Sequence, residues 1–259
     1  MTGSGWPPPG YAVVPDRWGS VVWSDASGWL HEALERYPTV HAWARDSSEA
    51  ETLRGRGTVY SVPAPVSGPD AKARWAVRHY RRGGAVASSL DDRYLRAGRP
   101  RPFRELSACA AARERGVLVP AVVAGVSYLD GAFYRCDLVT EYIDGGRPLS
   151  EVLHVTDGSR AWADAMREAG RLVRRMADAG IYHVDLNAHN IVLVDTNDGP
   201  EAWAIDLDRA RVLRGSSRGV GDRMAARLTR SILKVGTPTG EPLGVREVMA
   251  ALDPDGILA

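Results

Sequence analysis

The chain has 259 residues, of which 44% are hydrophobic and 25% are charged, and its formal net charge is +1 at pH 7. This composition is typical of a folded protein with one large domain or two lobes, and it argues against intrinsic disorder. The longest mainly apolar stretch, residues 117–129, is too short to cross a bilayer, and the N-terminus has no basic end followed by an apolar run, so we expect a protein that is neither secreted nor membrane-spanning.

The first half of the chain predicts an antiparallel sheet with one main helix. Residues 1–18 begin with a Pro- and Gly-rich sequence and are predicted to be a loose tail, and a short helix is predicted over residues 27–37. An N-terminal lobe is expected over residues 19–145. Its other predicted elements are a glycine-led hairpin over 55–63 and 73–80, a helix over 101–116, and two strands over 122–143 joined at "LDGA".

The second half, residues 146–259, predicts a short and mainly helical lobe. Residues 159–180 have the apolar spacing of a long amphipathic helix. The loop "YHVDLNAHN" over 182–190 follows, and then two strands, "IVLV" and "AWAIDLD", are joined by the turn "DTNDGP". Residues 223–235 predict a further helix. The fold class is therefore predicted to be α+β with two lobes.

Cysteine chemistry is not indicated. Cys109 and Cys136 have no metal-ligand spacing, and we expect small core residues rather than a disulfide.

One loop carries the spacing of a protein-kinase catalytic site. His183, Asp185 and Asn190 form the pattern H-x-D-x-x-x-x-N, and Asp206 follows after a short hairpin, where kinases place the metal-binding aspartate. Asp185 is predicted to orient an attacking hydroxyl and accept its proton. Asn190 and Asp206 offer the oxygen ligands that Mg²⁺ prefers, and His183 is expected to hold the loop by hydrogen bonds.

The same pattern has a simpler interpretation. Three fixed positions recur by chance, and Asp185 and Asn190 could be turn residues that cap a helix. The surrounding elements favour the catalytic interpretation, because a long helix precedes the loop, a strand–turn–strand follows it, and Asp206 lies where the second strand ends.

The first half offers candidate nucleotide-binding residues in the order that kinases use. Gly55 and Gly57 begin a strand where backbone amides could approach phosphates, and Ala76 is small enough to lie against an adenine ring. Arg78 stands where kinases carry a phosphate-binding lysine, and Glu105 on the next helix is its expected partner. Solvated surface charges are the alternative for this pair.

The segment "LVTEYIDGG" over residues 138–146 predicts a hinge between the lobes. Adenine is expected to form hydrogen bonds there with backbone groups of Glu141 to Ile143, so that side-chain identity matters little.

These motifs together resemble the 3-deoxy-D-manno-octulosonic acid (Kdo) kinases, a group of lipopolysaccharide kinases related to protein kinases. The matching segments are "GRGTVYSV", "WAVRHYRRGG", "RPFRE", "YHVDLNAHNIVL" and "IDLDRAR", and they extend over residues 55–211. An arginine at the position of Arg78 is usual in that family. Leu207 departs from the phenylalanine that the family often has.

The resemblance implies a protein-kinase-like fold and transfer of the ATP γ-phosphate, with Mg²⁺, to the 4-hydroxyl of Kdo on a lipid A precursor. Such an enzyme works at the cytoplasmic face of the bacterial inner membrane, in peripheral contact with it, and no nucleic acid is expected as a partner. Kinases of another lipopolysaccharide sugar, such as heptose, or of a small hydroxyl compound, and a catalytically silent binding module, are the alternatives.

Arginine-rich segments fit an anionic acceptor, because guanidinium groups suit carboxylates and phosphates. Ordinary solvated charges are an equally good account of any single one. The candidates are Arg81, Arg82, Arg93, Arg96, Arg99, Arg101, Arg104, Arg214, Arg218, Arg223, Arg227 and Arg230.

Overall fold

The computed structural model describes residues 6–14, 19–53, 58–81, 92–155, 160–214, 219–236, 243–253 and 256. The chain divides into two compact units. The first comprises residues 1–110 and 121–142, and the second comprises residues 111–120 and 143–259. The N-terminal lobe predicted over residues 19–145 includes residues 111–120, whereas the structure groups those residues with the second unit.

Hydrogen bonds explain why residues 111–120 belong to the second unit. The carbonyl of Leu118 accepts the backbone N–H of Ala204 at 2.9 Å. The Arg115 guanidinium donates to the carbonyls of Ala179 and Leu213 at 2.7 and 3.2 Å. These partners are distant in sequence, so the local pattern did not reveal them.

The first unit is built on an antiparallel sheet. Its strands are β1 (Tyr11–Val14), β2 (Ser20–Trp23), β3 (Glu51–Leu53), β4 (Val59–Pro63), β5 (Arg74–His79), β6 (Tyr94–Leu95), β7 (Val122–Asp130) and β8 (Phe133–Glu141). In the described part of the chain they are ordered β1-β2-β7-β8-β5-β4-β3, and β6 pairs with β8. The predicted pairs β4–β5 and β7–β8 are confirmed.

Strand β1 corrects the prediction of a loose tail over residues 1–18. Tyr11 pairs with Trp23, and the Tyr11 hydroxyl donates to the carbonyl of Val122 at 2.5 Å. The Pro- and Gly-rich start of the chain suggested a loose segment. The β-branched and aromatic residues that follow find partners on β2 and β7, which only the folded sheet provides.

Tryptophans form the centre of the hydrophobic core in the first unit. The helices of this unit are α1 (Ser27–Arg36) and α2 (Val40–Arg45), and α3 (Arg101–Glu114) begins in it. Trp29 on α1 makes edge-on contacts with Trp75 at 4.7 Å and with Trp43 at 5.0 Å between ring centroids. Such pairs add about 0.5–1.5 kcal/mol each to the free energy gained by burial.

A buried carboxylate organises the end of β5. Asp137 is fully buried and accepts hydrogen bonds from the His79 ring at 2.6 Å, the His41 backbone N–H at 2.8 Å and the Tyr128 hydroxyl at 2.8 Å. The second ring nitrogen of His79 lies 3.1 Å from Asp92. Burial alone would lower the pKa of His79, but the two carboxylates outweigh it and raise this pKa. His79 therefore stabilises the sheet here.

The second unit is mainly helical, as predicted. Its helices are α4 (Leu149–Val155), α5 (Arg160–Asp178), α6 (Val220–Val235) and α7 (Val245–Leu252). Its strands are β9 (Arg147–Pro148), β10 (Ile181–Tyr182), β11 (Ile191–Thr196), β12 (Gly199–Ala204) and β13 (Arg211–Val212). The hairpin β11–β12 lies where the sequence predicted two strands joined by a turn.

Helices α5 and α7 approach each other at a glycine. A Cβ atom on Gly170 of α5 would lie 1.7 Å from the carbonyl oxygen of Leu252 on α7. No side chain fits at that distance, so this packing requires glycine.

Neither cysteine is in a disulfide, and both Cys109 and Cys136 are buried, which confirms the prediction of core residues. Burial raises the pKa of Cys136. Among the described helices, none has the length and apolar character needed to span a membrane.

Candidate active site

His183 fixes the loop over residues 182–190 to the segment after β12. The residue is 1% exposed, and its Nε2–H donates to the carbonyl of Ile205 at 3.0 Å. Burial lowers the pKa of His183, so the ring is neutral near pH 7. The backbone N–H of His183 donates to the Met224 sulfur at 3.4 Å. This histidine holds the loop through hydrogen bonds, as the sequence predicted.

Two asparagines close the loop around Asp185. The carbonyl oxygen of Asp185 accepts the side-chain amide of Asn187 at 2.8 Å and that of Asn190 at 3.2 Å. The side-chain oxygen of Asn187 accepts the backbone N–H of His189 at 2.9 Å. Because these bonds use the backbone of Asp185, its carboxylate is left at the surface, with 41% of the side chain exposed.

The loop is also tied to neighbouring helices of the second unit. Ser150 on α4 is hydrogen-bonded to the His189 ring at 2.8 Å, and the hydroxyl of Ser231 on α6 accepts the N–H of Ala188 at 3.1 Å. These contacts restrict the loop on both sides.

Asn190 and Asp206 come from adjacent segments of backbone. The N–H of Ile205, which precedes Asp206, donates to the carbonyl of Asn190 at 3.0 Å. Asp206 has a φ of 64°, a left-handed conformation that is uncommon outside glycine. Residues held in sparsely populated backbone conformations cluster at functional sites.

The donor set at this point fits a magnesium ion. The Asn190 amide nitrogen donates to the Asp185 carbonyl, which turns the amide oxygen away from that bond. An amide oxygen and a carboxylate are ligands that Mg²⁺ accepts, with further oxygens from water or phosphate. No group of three or more His, Cys, Asp or Glu side chains that could hold a metal occurs in the described residues.

Two arginines contact the Asp185 carboxylate. Arg209 Nη1 lies 2.6 Å from Oδ2, and Arg227 Nη1 lies 3.8 Å from Oδ1. The side chain of Arg209 is 59% exposed and that of Arg227 is 43% exposed. The base candidate is therefore paired with cations at the surface of the second unit.

In the first unit, Arg78 and Glu105 form the ion pair that the sequence predicted. Arg78 Nη2 lies 2.6 Å from Glu105 Oε2, and the Glu105 side chain is only 4% exposed. The Tyr80 hydroxyl also donates to Glu105, and the Arg78 guanidinium lies 4.6 Å above the Tyr80 ring centroid. Burial and the Glu105 charge raise the pKa of Tyr80. Glu105 therefore fixes the direction of Arg78.

Ala76 and Arg78 lie on the same face of β5. Trp75 and Val77 are buried in the core, and side chains alternate along a strand, so Ala76 and Arg78 point to the opposite face. Gly55 and Gly57, the predicted phosphate loop, lie outside the residues that the structure describes.

Glu141 and Ile143, two residues of the predicted hinge, differ in their hydrogen bonds. The Glu141 carboxylate is buried and accepts the backbone N–H groups of Asp70 at 3.0 Å and Lys72 at 3.2 Å. Gly68 makes room for it, since a Cβ there would lie 2.5 Å from Glu141 Oε1. The prediction that side-chain identity matters little is therefore wrong at Glu141. Within the described part of the chain, the backbone N–H of Ile143 donates no hydrogen bond.

A model of the lipopolysaccharide kinase (Kdo/WaaP) family matches residues 40–242. The chain belongs to this family. Among curated relatives, it is similar to the 3-deoxy-D-manno-octulosonic acid kinase of Stenotrophomonas maltophilia (strain K279a), with 36% identity over 70% of this chain and 68% of the relative. It is also similar to the kinases of that name from Vibrio cholerae serotype O1, with 32% identity over 82% and 85%, and from Photobacterium damsela subsp. piscicida, with 34% identity over 79% and 81%.

Among solved structures, the chain is similar to WaaP in complex with acyl carrier protein, with a TM-score of 0.49, 19% identity and coverage of 88% of this chain and 95% of that chain.

Membership of the Kdo/WaaP family confirms the resemblance read from the motifs, and the sheet of the first unit with the helices of the second confirms the predicted fold class. The individual roles of Asp185, Asn190, Asp206 and Arg78 stay predictions. Sequence reasoning missed Arg209. Its position directly after "IDLD" was a signal, but nothing local indicated that it contacts Asp185.

Several predicted acceptor arginines of the first unit have partners within that unit. Arg93 pairs with Asp130 at 3.3 Å, Arg96 donates to a carbonyl at 3.2 Å, and Arg101 donates to the Tyr94 hydroxyl at 2.9 Å. Arg99 lies 4.1 Å above a tryptophan ring. Arg82 and Arg218 lie outside the described residues.

Proposed function

We propose that this member of the Kdo/WaaP family transfers the γ-phosphate of ATP to the 4-hydroxyl of a Kdo residue on a lipid A precursor. The observation that carries the proposal is the closed loop around Asp185. The side-chain amide of Asn190 donates to the Asp185 carbonyl, and the Asn190 carbonyl accepts the backbone N–H of Ile205, the residue before Asp206. The acceptor is proposed from the similarity to relatives named 3-deoxy-D-manno-octulosonic acid kinases.

In the proposed reaction, one side chain accepts the proton and two others would hold the metal ion. The acceptor hydroxyl oxygen forms a bond to the γ-phosphorus, the bond from that phosphorus to the bridging oxygen of ADP breaks, and the hydroxyl proton passes to the Asp185 carboxylate. Asn190 and Asp206 would hold Mg²⁺. When bound, this ion neutralises charge on the β- and γ-phosphate oxygens.

ATP is proposed to contact residues of the first unit and of the hinge segment. Arg78, held by Glu105, supplies a fixed positive charge for phosphate oxygens. Ala76 leaves room for a flat ring on the same face of β5, and the free N–H of Ile143 is a donor for an adenine nitrogen. The glycines Gly55 and Gly57 remain candidates for the phosphate loop.

A lipid-linked acceptor places the reaction at a membrane surface. We propose peripheral contact with the cytoplasmic side of the inner membrane, supported by the exposed basic residues of α6.

The test is phosphate transfer to a defined acceptor. Purified protein is incubated with ATP, Mg²⁺ and a Kdo-bearing lipid A precursor, and mass spectrometry is used to detect one added phosphate on Kdo. A heptosylated acceptor without Kdo serves as the comparison, and Asp185→Asn serves as the inactive control. Absence of product on Kdo, or equal turnover of the heptose acceptor, overturns the proposed acceptor, and unchanged transfer by Asp185→Asn overturns the proposed base.

A further inference from the structure

Two arginines surround one carboxylate at the proposed base, so these three side chains together have a net positive charge. Asp185 contributes one negative charge, and Arg209 and Arg227 contribute two positive charges. All three side chains are between 41% and 59% exposed, so the excess charge faces solvent and is accessible to a ligand.

The two arginines also use only part of their hydrogen-bonding capacity on Asp185. Arg209 approaches only Oδ2, through Nη1, and the 3.8 Å separation of Arg227 from Oδ1 exceeds the length of a hydrogen bond. A guanidinium has five N–H donors in a fork that matches a carboxylate with two parallel bonds. Within the described residues, the other donors of Arg209 and Arg227 form no hydrogen bonds with the protein.

The basic surface continues along α6. Arg223, Arg227, Arg230 and Lys234 recur at helical spacing and are all exposed, so they share one face of the helix. Like charges four residues apart weaken a helix slightly. This basic face includes Arg227, which contacts Asp185, and its charge is suited to an anion.

The contact between Arg209 and Asp185 competes with the proposed reaction. At 2.6 Å the guanidinium donates to Oδ2, one of the two oxygens that could accept the hydroxyl proton, and its positive charge makes the whole carboxylate a weaker base. A second carboxylate brought to the same place would offer Arg209 an equivalent partner and release Oδ2. The sugar for which the relatives are named, 3-deoxy-D-manno-octulosonic acid, carries such a carboxylate.

We propose that Arg209, assisted by Arg227, binds the carboxylate of the acceptor sugar, and that this exchange frees Asp185 to accept the hydroxyl proton. The inference rests on the proposed function and extends it. Arg209 is then a positioning residue that couples the acidic group of the acceptor to the base. A neutral sugar leaves the ion pair intact and is a poor acceptor, so the pair selects acidic sugars.

The test compares the Kdo-bearing precursor with its carboxyl methyl ester. The variants are Arg209→Ala, Arg227→Ala and the control Arg211→Ala, whose side chain is exposed on β13. Removing a charged hydrogen bond corresponds to about tenfold or more in kcat/KM. We expect the ester to lower kcat/KM by about that factor for the native protein and Arg211→Ala, and by less than about threefold for Arg209→Ala.

The outcomes separate the possible roles. An equal ester effect in the native protein and in Arg209→Ala overturns the proposal, because the two losses then add independently. A raised KM for ATP in Arg209→Ala with an unchanged ester effect also overturns it and assigns the residue to the γ-phosphate.

Equilibrium binding of the acid and the ester without ATP provides a second measurement that does not depend on turnover. Tighter binding of the acid by the native protein, lost in Arg209→Ala, supports the inference even if phosphate is transferred elsewhere on the sugar. Equal binding of acid and ester by the native protein overturns it. Absence of transfer with selective binding contradicts the proposed function alone.

Discussion

The backbone N–H of Ile205 donates to the carbonyl oxygen of Asn190 at 3.0 Å, and this bond joins the loop over residues 182–190 to the segment that carries Asp206. The Asn190 side chain meanwhile donates to the carbonyl of Asp185. One asparagine therefore links the proposed base to the proposed metal ligand through its own backbone and side chain.

Replacing the proposed metal ligand is expected to change the metal dependence of the enzyme. Asp206→Asn removes a negative charge from a site with few protein ligands, so a higher Mg²⁺ concentration is needed for half-maximal phosphate transfer. Titration of activity with Mg²⁺ measures the shift. Asp195→Asn, at an exposed aspartate of β11, is the control. An unchanged Mg²⁺ requirement in Asp206→Asn would show that the residue is not a ligand.

Arg78→Ala is expected to affect both nucleotide binding and stability. Glu105 is nearly buried and would lose its cation, which costs about 1–3 kcal/mol in the free energy of unfolding. The KM for ATP is expected to rise, because a fixed phosphate donor is gone. Urea unfolding and steady-state kinetics measure the two effects. Arg135→Ala, in which an exposed arginine is lost, should change neither, and an unaltered KM in Arg78→Ala would remove this residue from the nucleotide site.

The lowered pKa of His183 predicts that the folded protein loses stability as the pH falls. Burial lowers its pKa in the folded protein, so the unfolded chain binds more protons as the pH falls below about 6.5, and the free energy of unfolding decreases there. The contribution is fully present above pH 6.5 and has a slope of at most about 1.4 kcal/mol per pH unit. Urea unfolding between pH 8 and pH 5 should show a smaller decrease for His183→Gln, and His31→Gln, at an exposed residue, should retain the native slope.

Gly170→Ala is expected to destabilise the packing of α5 against α7. The added carbon would overlap the carbonyl of Leu252, and relief of that overlap requires the helices to move apart, which costs about 1–3 kcal/mol or more. Thermal unfolding measures the loss. Gly28→Ala is the matched control, because Gly28 is exposed on α1 with nothing within 4 Å of its Cβ position, and the change should be neutral or stabilising. Equal effects of the two substitutions would contradict the close approach.

Local pattern predicted the elements that carry the site. The helix before the loop, the hairpin after it and the strand pair with Arg78 follow from periodicity and turn residues, which act over a few positions. The Arg78–Glu105 ion pair could be predicted from the sequence because kinase motifs specify it. The contacts of Tyr11 could not be predicted in this way, because its partners on β2 and β7 lie outside any short sequence pattern.

The sequence by itself determined the loop chemistry, because the bonds from Asn187 and Asn190 to the Asp185 carbonyl span two and five residues and depend on local spacing. Only the tertiary structure decided which groups meet the Asp185 carboxylate and where the Glu141 side chain binds. Arg209 is 24 residues from Asp185, and Glu141 is 71 residues from Asp70. Contacts at such separations depend on how whole elements pack, which no short pattern encodes.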